Sequence, residues 1–137
     1  MKVKKLLKGK DSAIYCIHPD ESLFNCIKVL NRMSFGALLV LSEEKATVLG
    51  IISERDLLRK VEESRGNLDG IMVKEVMTPR KYMIFADIEN NIHDVLEKMN
   101  SHKVRHMPVM DYSDGEELVG LLAVGDVIRA LLECATQ

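Results

Sequence analysis

Two stretches of this chain, seventy residues apart, are copies of one another. The first reads GIISERDLLRK over residues 50–60, and the second reads GLLAVGDVIRA over residues 120–130. A glycine, an aspartate, an arginine and the apolar positions recur, whereas Ser53 becomes Ala123 and the next two polar residues become valine and glycine. A repeat of this kind is a supersecondary unit that packs against its own copy, so the chain is limited to folds made of two similar units.

The similarity extends to an amphipathic helix and a hairpin in each copy. The apolar residues of the helix have the spacing i, i+3, i+4, i+7, which is the apolar stripe of an α-helix. They are Leu23, Cys26, Ile27 and Leu30 in the first copy and Ile92, Val95, Leu96 and Met99 in the second. The opening segment Val3-x-x-Leu6-Leu7 likewise returns as Val73-x-x-Val76-Met77. The polar stretches SEEKAT and DYSDGEE, each between apolar runs, predict a β-hairpin connection.

Each copy is therefore predicted to fold as strand, helix, strand, strand, helix, which makes this an α+β (mixed α/β) protein. The strands are predicted near 13–17, 36–41, 47–52, 82–86, 105–110 and 117–122, and the helices near 21–33, 54–63, 91–101 and 124–133. Units of about 65 residues bury too little surface to be stable alone. We expect residues 1–68 and 69–137 to form two repeats of one module, packed sheet against sheet about a pseudo-twofold axis.

Composition and charge exclude several classes of protein. The 19 lysines and arginines against 21 aspartates and glutamates leave a net charge of −2, which gives no electrostatic reason to expect nucleic acid as the main partner. Five lysines in the first ten residues are interpreted as a solvated leading segment. No apolar run has the length of a membrane helix or a signal sequence. Three cysteines without metal-ligand spacing fit inert thiols in a reducing compartment, so we expect a cytoplasmic protein with no membrane partner.

The repeated strand–helix joint resembles the CBS domain pair, also called the Bateman module. The supporting motifs, in chain order, are CIHPDESL, LGIISERDLLRKV, KEVMTP, KVRHMPVM and LVGLLAVGDVIRALLE. The resemblance covers the chain from Val3 to about Leu132. This version of the motifs is similar to that of free-standing, single-module signal-transduction proteins. It implies the CBS-pair fold and a regulatory module without catalysis or a catalytic cofactor. Family members bind AMP, ADP, ATP, NAD(H) or S-adenosylmethionine in the cleft between the repeats, and their modules commonly form dimers; AMP and ATP are the first ligands to expect here.

The resemblance also implies which residues bind the nucleotide. They are Ser53, Arg55, Asp56, Arg105, His106, Asp126, Ile14, Ile17 and Ile84. The aspartates would hold ribose hydroxyls, the serine and the basic residues would meet phosphate, and the isoleucines would flank the adenine. Because Ala123 replaces the serine or threonine usual in the family, the second site is expected to be the weaker one.

Two features of the joint itself favour a ligand. Arg55 stands in the first turn of a predicted helix, where a cation opposes the helix dipole unless an anion arrives. Gly50 and Gly120 lie three residues before the helices, where a missing side chain allows close approach of a backbone or a ligand.

Other interpretations need no nucleotide. Ser-x-x-Asp before an apolar run is also the pattern of a capping box, which stabilises a helix by itself. The chain has no nucleophile elbow, no Walker loop and no metal-spaced ligand set, so we expect no enzyme and no metal site. The alternative functions are a ligand-free dimerisation module and, less favoured by charge, a nucleic-acid binder that uses the leading lysines.

Overall fold

The computed structural model describes residues 1–8, 14–33, 35–44 and 47–135. They divide into two compact units. The Asp56 unit comprises Tyr15–Met83, and the Asp126 unit comprises Met1–Ile14 together with Ile84–Gln137. These units divide the chain differently from the repeats 1–68 and 69–137, because the opening segment of each repeat packs with the body of the other copy.

Helices and strands follow one another in the same order in the described parts of both copies, except that a short strand, Thr78–Pro79, is added near the start of the second. In chain order they are α1 (Val3–Lys8), β1 (Cys16–Ile17), α2 (Leu23–Arg32), β2 (Ala37–Leu41), β3 (Val48–Ser53), α3 (Glu54–Glu63), α4 (Val73–Val76), β4 (Thr78–Pro79), β5 (Ala86–Asp87), α5 (Ile92–His102), β6 (His106–Asp111), β7 (Glu117–Ala123) and α6 (Val124–Ala135). In the described part of the chain, no helix combines the length and the apolar character that crossing a membrane requires.

Three strands of each sheet, β1–β2–β3 and β5–β6–β7, pair in equivalent ways, and the first sheet has β4 as a fourth strand. β1 lies parallel to β2 and β5 parallel to β6, while β2–β3 and β6–β7 are antiparallel hairpins, as predicted from the polar stretches between them. Ile17 pairs with Val40 as Ala86 pairs with Val109, and both hairpins carry an irregularity directly after these valines. The mixed α+β class and the tandem β-α-β-β-α repeat are thereby confirmed.

The predicted helical stripes form the two cores. Their most buried members are Leu23, Cys26, Leu30, Ile92, Val95 and Met99. Each packs with the inward-facing residues of its own sheet, so each unit has a hydrophobic core of its own.

The first strand of each copy is shorter than predicted. β1 and β5 have two residues each, because parallel pairing extends over only two residue pairs. Residue 13 of the strand predicted near 13–17 lies outside the described residues. Tyr82, at the start of the strand predicted near 82–86, instead ends a short 3₁₀ helix, Arg80–Tyr82. The sequence did not predict β4, which pairs with Gly50 and Ile51 at the sheet edge, where a proline is tolerated.

The opening helices α1 and α4 dock in equivalent ways on opposite copies. The Val3 N–H donates to the Asn90 carbonyl at 2.9 Å in the Asp126 unit, and the Val73 N–H donates to the Glu21 carbonyl at 2.9 Å in the Asp56 unit. Both valine side chains are fully buried. Each body is therefore completed by a helix that precedes the other body in sequence.

The described leading lysines are exposed to solvent, as the sequence predicts, and they lie on a segment that is docked in the Asp126 unit. Lys2 and Lys4 donate to the two carboxylate oxygens of Glu89 at 2.7 and 3.0 Å, and these contacts lower the pKa of Glu89. α1 begins directly after Lys2 and is fixed by its buried Val3, so the exposed lysines lie on a docked element.

Candidate functional site

The Ser53–Asp56 pair forms a complete capping box at the junction of β3 and α3. Asp56 Oδ2 accepts from the Ser53 backbone N–H at 2.9 Å and from the Ser53 hydroxyl at 3.0 Å. The Ser53 Oγ in turn accepts from the Asp56 N–H at 3.4 Å. The capping interpretation is therefore correct, yet it occupies only one carboxylate oxygen: Asp56 Oδ1 makes no hydrogen bond to any residue that the structure describes.

The equivalent carboxylate in the Asp126 unit is held without a serine. Asp126 Oδ2 accepts from the Ala123 backbone N–H at 2.8 Å, and Oδ1 lies 3.8 Å from Arg129 Nη1. The same backbone bond that holds Asp56 thus also holds Asp126, without a serine hydroxyl, and the Asp126 side chain is 19% exposed. An ionised carboxylate accepts hydrogen bonds and donates none, so both junctions present an acceptor for hydroxyl or amino donors.

The surroundings of Asp56 combine an arginine with a buried thiol. Arg55 is exposed and makes no ion pair with the residues described here. Burial raises the pKa of the Cys26 thiol to about 11, and the negative charge of Asp56 adds to the rise. The field of this carboxylate therefore extends into the core of its unit.

The structure brings Arg105 and His106 to the Asp126 junction. The Val124 N–H, at the start of α6, donates to the Arg105 carbonyl at 2.8 Å, and His106 pairs with Ala123 across the sheet. Arg105 is exposed and His106 half-buried. In the first copy the same backbone bond runs from Glu54 to Gly36 at 2.9 Å, so the basic pair is an addition specific to the second copy.

The three isoleucines have different surroundings. Ile17 belongs to the core of the Asp56 unit and is 8% exposed, so its side chain has little surface left for a ligand. Ile84 is half-buried at the rim of the other core, and Ile14 is half-buried as well.

Sequence reasoning passed over an aromatic pair near the Asp56 junction. Tyr15 and Phe35 lie with their ring centroids 4.7 Å apart, and Phe35 directly precedes Gly36, whose carbonyl binds the first N–H of α3. The signal in the sequence was the tyrosine between the two isoleucines chosen as base-flanking residues.

The repeated glycines have a packing explanation instead of the ligand approach that they suggested. A Cβ on Gly50 would lie 2.6 Å from the Thr78 carbonyl oxygen and 2.7 Å from the sulfur of Met77. A Cβ on Gly120 would lie 2.9 Å from a methyl carbon of Leu7. The docked opening segments fill the space that these glycines leave, so the glycines no longer argue for a ligand.

The fold and the two aspartate-bearing junctions define a protein built from two copies of one β-α-β-β-α module. The sequence profile of the CBS domain matches residues 10–63 and 73–133. The chain therefore belongs to the CBS domain family. Within the described ranges, no three histidine, cysteine, aspartate or glutamate side chains group as a metal site.

Similar proteins span several lineages. The mitochondrial CBS domain-containing protein CBSX3 of Arabidopsis thaliana is 29% identical over 129 residues, which cover 91% of this chain and 61% of that protein. The crystal structure of the CBS-domain protein ATU1752 from Agrobacterium tumefaciens is 28% identical with a TM-score of 0.86, and the alignment covers 95% of this chain and 92% of that one. The CBS domain protein PAE2072 from Pyrobaculum aerophilum, complexed with AMP, is 25% identical over the whole of both chains with a TM-score of 0.79.

Proposed function

We propose that this protein is a non-catalytic regulatory module that binds an adenosine-containing ligand, with AMP or ATP the first candidates. The observation that carries the proposal is the carboxylate repeated at two strand–helix junctions and held there by the same backbone bond, 2.9 Å at Asp56 and 2.8 Å at Asp126. The second copy keeps this group although Ala123 cannot cap the helix with a side chain. The AMP complex of the Pyrobaculum protein supports the ligand class.

Chemistry assigns a role to each group. The aspartates accept hydrogen bonds from the ribose hydroxyls, since a carboxylate only accepts and a hydroxyl can donate. Ser53 and Arg55 bind phosphate at one junction, and Arg105 and His106 at the other, because charge-assisted hydrogen bonds to phosphate are the stronger kind. NAD(H) and S-adenosylmethionine share the adenosine part and stay within the proposed class.

The ligand would act by differential affinity. A bound nucleotide shifts a conformational equilibrium only as far as it prefers one conformation over the other. The module would then signal to a downstream protein.

Calorimetric titration tests the proposal. Wild type, Asp56→Ala and Asp126→Ala are titrated with AMP, ADP, ATP, NADH and S-adenosylmethionine. We expect saturable binding of at least one ligand and a loss of about tenfold or more in affinity at the altered junction, since each variant loses a charged hydrogen-bond acceptor.

A matched control separates ligand contact from helix capping. Ser22 caps α2 at the far end of the same sheet, where its hydroxyl accepts from the Asn25 N–H at 3.0 Å. Ser22→Ala loses a cap, as Asp56→Ala does, and should leave the affinity unchanged. The proposal is wrong if wild-type protein that is folded and free of nucleotide gives no heat with any of these ligands. The ligand-free module then becomes the better interpretation.

One observation favours self-association as part of this function. Leu58 is 71% exposed on α3, and Leu132 is 64% exposed on α6. Each has an exposed apolar neighbour about one helix turn away, Val61 (36% exposed) and Ile128 (45%), and contiguous exposed apolar patches mark interaction surfaces. We propose that the module works as a homodimer.

Nucleic-acid binding gains no support, because Lys2 and Lys4 already pair with Glu89.

A further inference from the structure

The turn between β1 and α2 is closed by a histidine side chain. The Asp20 backbone N–H donates to Nδ1 of His18 at 3.0 Å, and the Glu21 N–H donates to the His18 carbonyl at 3.1 Å. Because Nδ1 accepts this hydrogen bond, it carries no proton, and the ring is neutral with its proton on Nε2. The turn therefore depends on the uncharged form of His18.

The equivalent turn of the Asp126 unit is closed by an aspartate. The Glu89 N–H donates to Oδ1 of Asp87 at 2.9 Å, and the Asn90 N–H donates to the Asp87 carbonyl at 2.9 Å. An aspartate ordinarily titrates at about pH 4, whereas a histidine ordinarily titrates at about pH 6.5. Of the two turns, the one in the Asp56 unit thus has an acceptor that can be lost near neutral pH.

The His18 turn is the surface on which α4 docks. The Lys74 N–H donates to the Pro19 carbonyl at 3.0 Å, and the Val73 N–H donates to the Glu21 carbonyl at 2.9 Å. Both acceptors belong to the residues that His18 arranges. The position of α4 therefore depends on the geometry of this turn.

The charged groups that face His18 in the described part of the chain come from its own turn and from two other segments. Oδ2 of Asp20 lies 3.9 Å from Nδ1, and Oε1 of Glu43, which follows β2, lies 3.5 Å from Nε2. Nζ of Lys74 on α4 lies 3.0 Å from Oδ1 of Asp20, and its hydrogen bond is the main cause of the lowered pKa of Asp20. Both carboxylates attract a charged imidazole, and the His18 side chain is 32% exposed, so solvent can supply the proton.

We propose that His18 is a pH-sensitive latch for α4. A protonated Nδ1 would point its hydrogen at the Asp20 N–H, and two donors cannot bond to each other. The imidazolium ring therefore turns toward Oδ2 of Asp20, and the Asp20 N–H loses its acceptor. The loosened turn holds the Pro19 and Glu21 carbonyls less firmly, so α4 opens more often at mildly acidic pH. In the Asp126 unit, where Asp87 closes the turn, the docking of α1 stays independent of pH in this range.

The latch adjoins the segment that covers β3. Met77 and Thr78 follow α4 directly, and a Cβ on Gly50 of β3 would lie within 2.7 Å of an atom of each. β3 ends at Ser53, where the Asp56 junction begins. Opening of α4 therefore uncovers the strand that leads to this junction, and the Asp56 unit is the copy that responds to acidification.

Hydrogen exchange followed by NMR tests the latch at about pH 7.5 and about pH 5.5, on either side of the usual pKa of histidine. The reporters are the amides of Val73 and Lys74. The matching amides of α1, Val3 and Lys4, have their acceptors in the Asp87 turn and serve as an internal reference. After correction for intrinsic exchange, protection of Val73 and Lys74 should fall about two- to tenfold on acidification, as expected for the loss of one hydrogen bond. Protection of the reference amides should stay constant.

Exchanges of residues between the copies provide matched variants. His18→Asp supplies the acceptor of the other copy and should give Val73 and Lys74 the same protection at both pH values. Asp87→His transfers the latch to the Asp126 unit, so it should make the protection of Val3 and Lys4 depend on pH.

The nitrogen chemical shifts of the His18 ring give an independent readout. At about pH 7.5 we expect a neutral ring with its proton on Nε2, and a proton on Nδ1 at that pH would overturn the proposal. Equal protection of Val73 and Lys74 at both pH values in wild type would also overturn it, as would a pH dependence that persists in His18→Asp. If His18→Asp does not fold, His18→Asn, which keeps an oxygen acceptor without a charge, decides in its place.

Discussion

At the starts of α3 and α6 the same carboxylate meets different neighbours. Asp56 is bound by both the backbone and the hydroxyl of Ser53, whereas Asp126 is bound by the backbone of Ala123, whose side chain has no hydroxyl. The contact that the two aspartates share is therefore to a backbone N–H, which every residue except proline can supply. The hydroxyl adds helix capping on top of it, which explains how one copy can lose the serine and keep the aspartate in position.

An exchange of these two residues tests that separation. Ser53→Ala should lower the free energy of unfolding by about 1 kcal/mol, and Ala123→Ser should raise it by about 0.5–1 kcal/mol, because a serine N-cap accepts a backbone N–H that is otherwise left open. Urea denaturation followed by circular dichroism measures both changes. Equal effects of opposite sign support independent capping; no gain from Ala123→Ser would mean that the α6 start is already satisfied.

The Cys26 thiol predicts a pH dependence of stability. Burial, with a smaller contribution from the Asp56 charge, raises its pKa from 9.0 to about 11 in the folded protein. Between these values the unfolded chain releases its proton first, so the free energy of unfolding falls as pH rises from about 9 to about 11, by up to about 3 kcal/mol. Denaturation of wild type and Cys26→Ala over this range should give a steeper fall for wild type. Parallel curves for the two proteins would contradict the prediction.

The sequence predicted the capping box and the position of both aspartates at the start of a helix, because a cap depends on residues three apart in one helix turn. It misjudged the glycines, because their neighbours Met77, Thr78 and Leu7 come from segments far along the chain or on another element. Hydrogen bonds within one helix turn could thus be predicted from the sequence, whereas contacts between segments that are distant in the chain could not.

At the scale of elements, α1 covers the glycine of β7, and the segment that leads from α4 into β4 covers the glycine of β3. The contact at Gly50 involves a backbone carbonyl, whereas the contact at Gly120 involves the flexible end of a leucine. The two contacts lie at equivalent positions, but they differ in how readily they can accommodate an added methyl group.

Alanine at each glycine should reveal that difference. Gly50→Ala should cost about 2–3 kcal/mol of folding free energy, because the methyl group meets a backbone oxygen that cannot move aside. Gly120→Ala should cost under about 1 kcal/mol, since Leu7 can change rotamer and a strand alanine is itself favoured over glycine. Chemical denaturation of both variants measures the difference, and equal costs would show that α1 is held as rigidly as β4.

Element prediction succeeded where a periodic pattern was long. The amphipathic stripes of α2 and α5 fix those helices from sequence alone, with ends within a residue or two. The strands β1 and β5 were overestimated, since their length depends on pairing with β2 and β6 and not on their own apolar run.

At the scale of the whole molecule, the exposed apolar residues bear on the proposed dimer. Leu57 and Leu58 are adjacent, but Leu57 is 7% exposed and Leu58 is 71% exposed. A polar substitution at Leu57 would damage the core and could not report on association.

Leu58→Asp is therefore the variant to use. We expect it to convert a dimer to a monomer in analytical ultracentrifugation with little change in the unfolding transition, because it places a charge in an apolar interface without touching the core. Glu62→Ala, one helix turn further on, is the matched surface control and should remain dimeric. A wild-type chain that sediments as a monomer would contradict the proposed homodimer.

The docking of α1 also bears on the order of events during synthesis. The Asp56 unit is complete once Met83 has left the ribosome, since all of its elements lie within Tyr15–Met83. The Asp126 unit needs both the first residues and the last ones. At about 5–20 residues per second, α1 emerges before the Asp56 unit and then waits several seconds for the strands that cover its valine. Its apolar face is made well before the elements that bury it, so this short helix stays uncovered on a nascent chain while the whole Asp56 unit is synthesised.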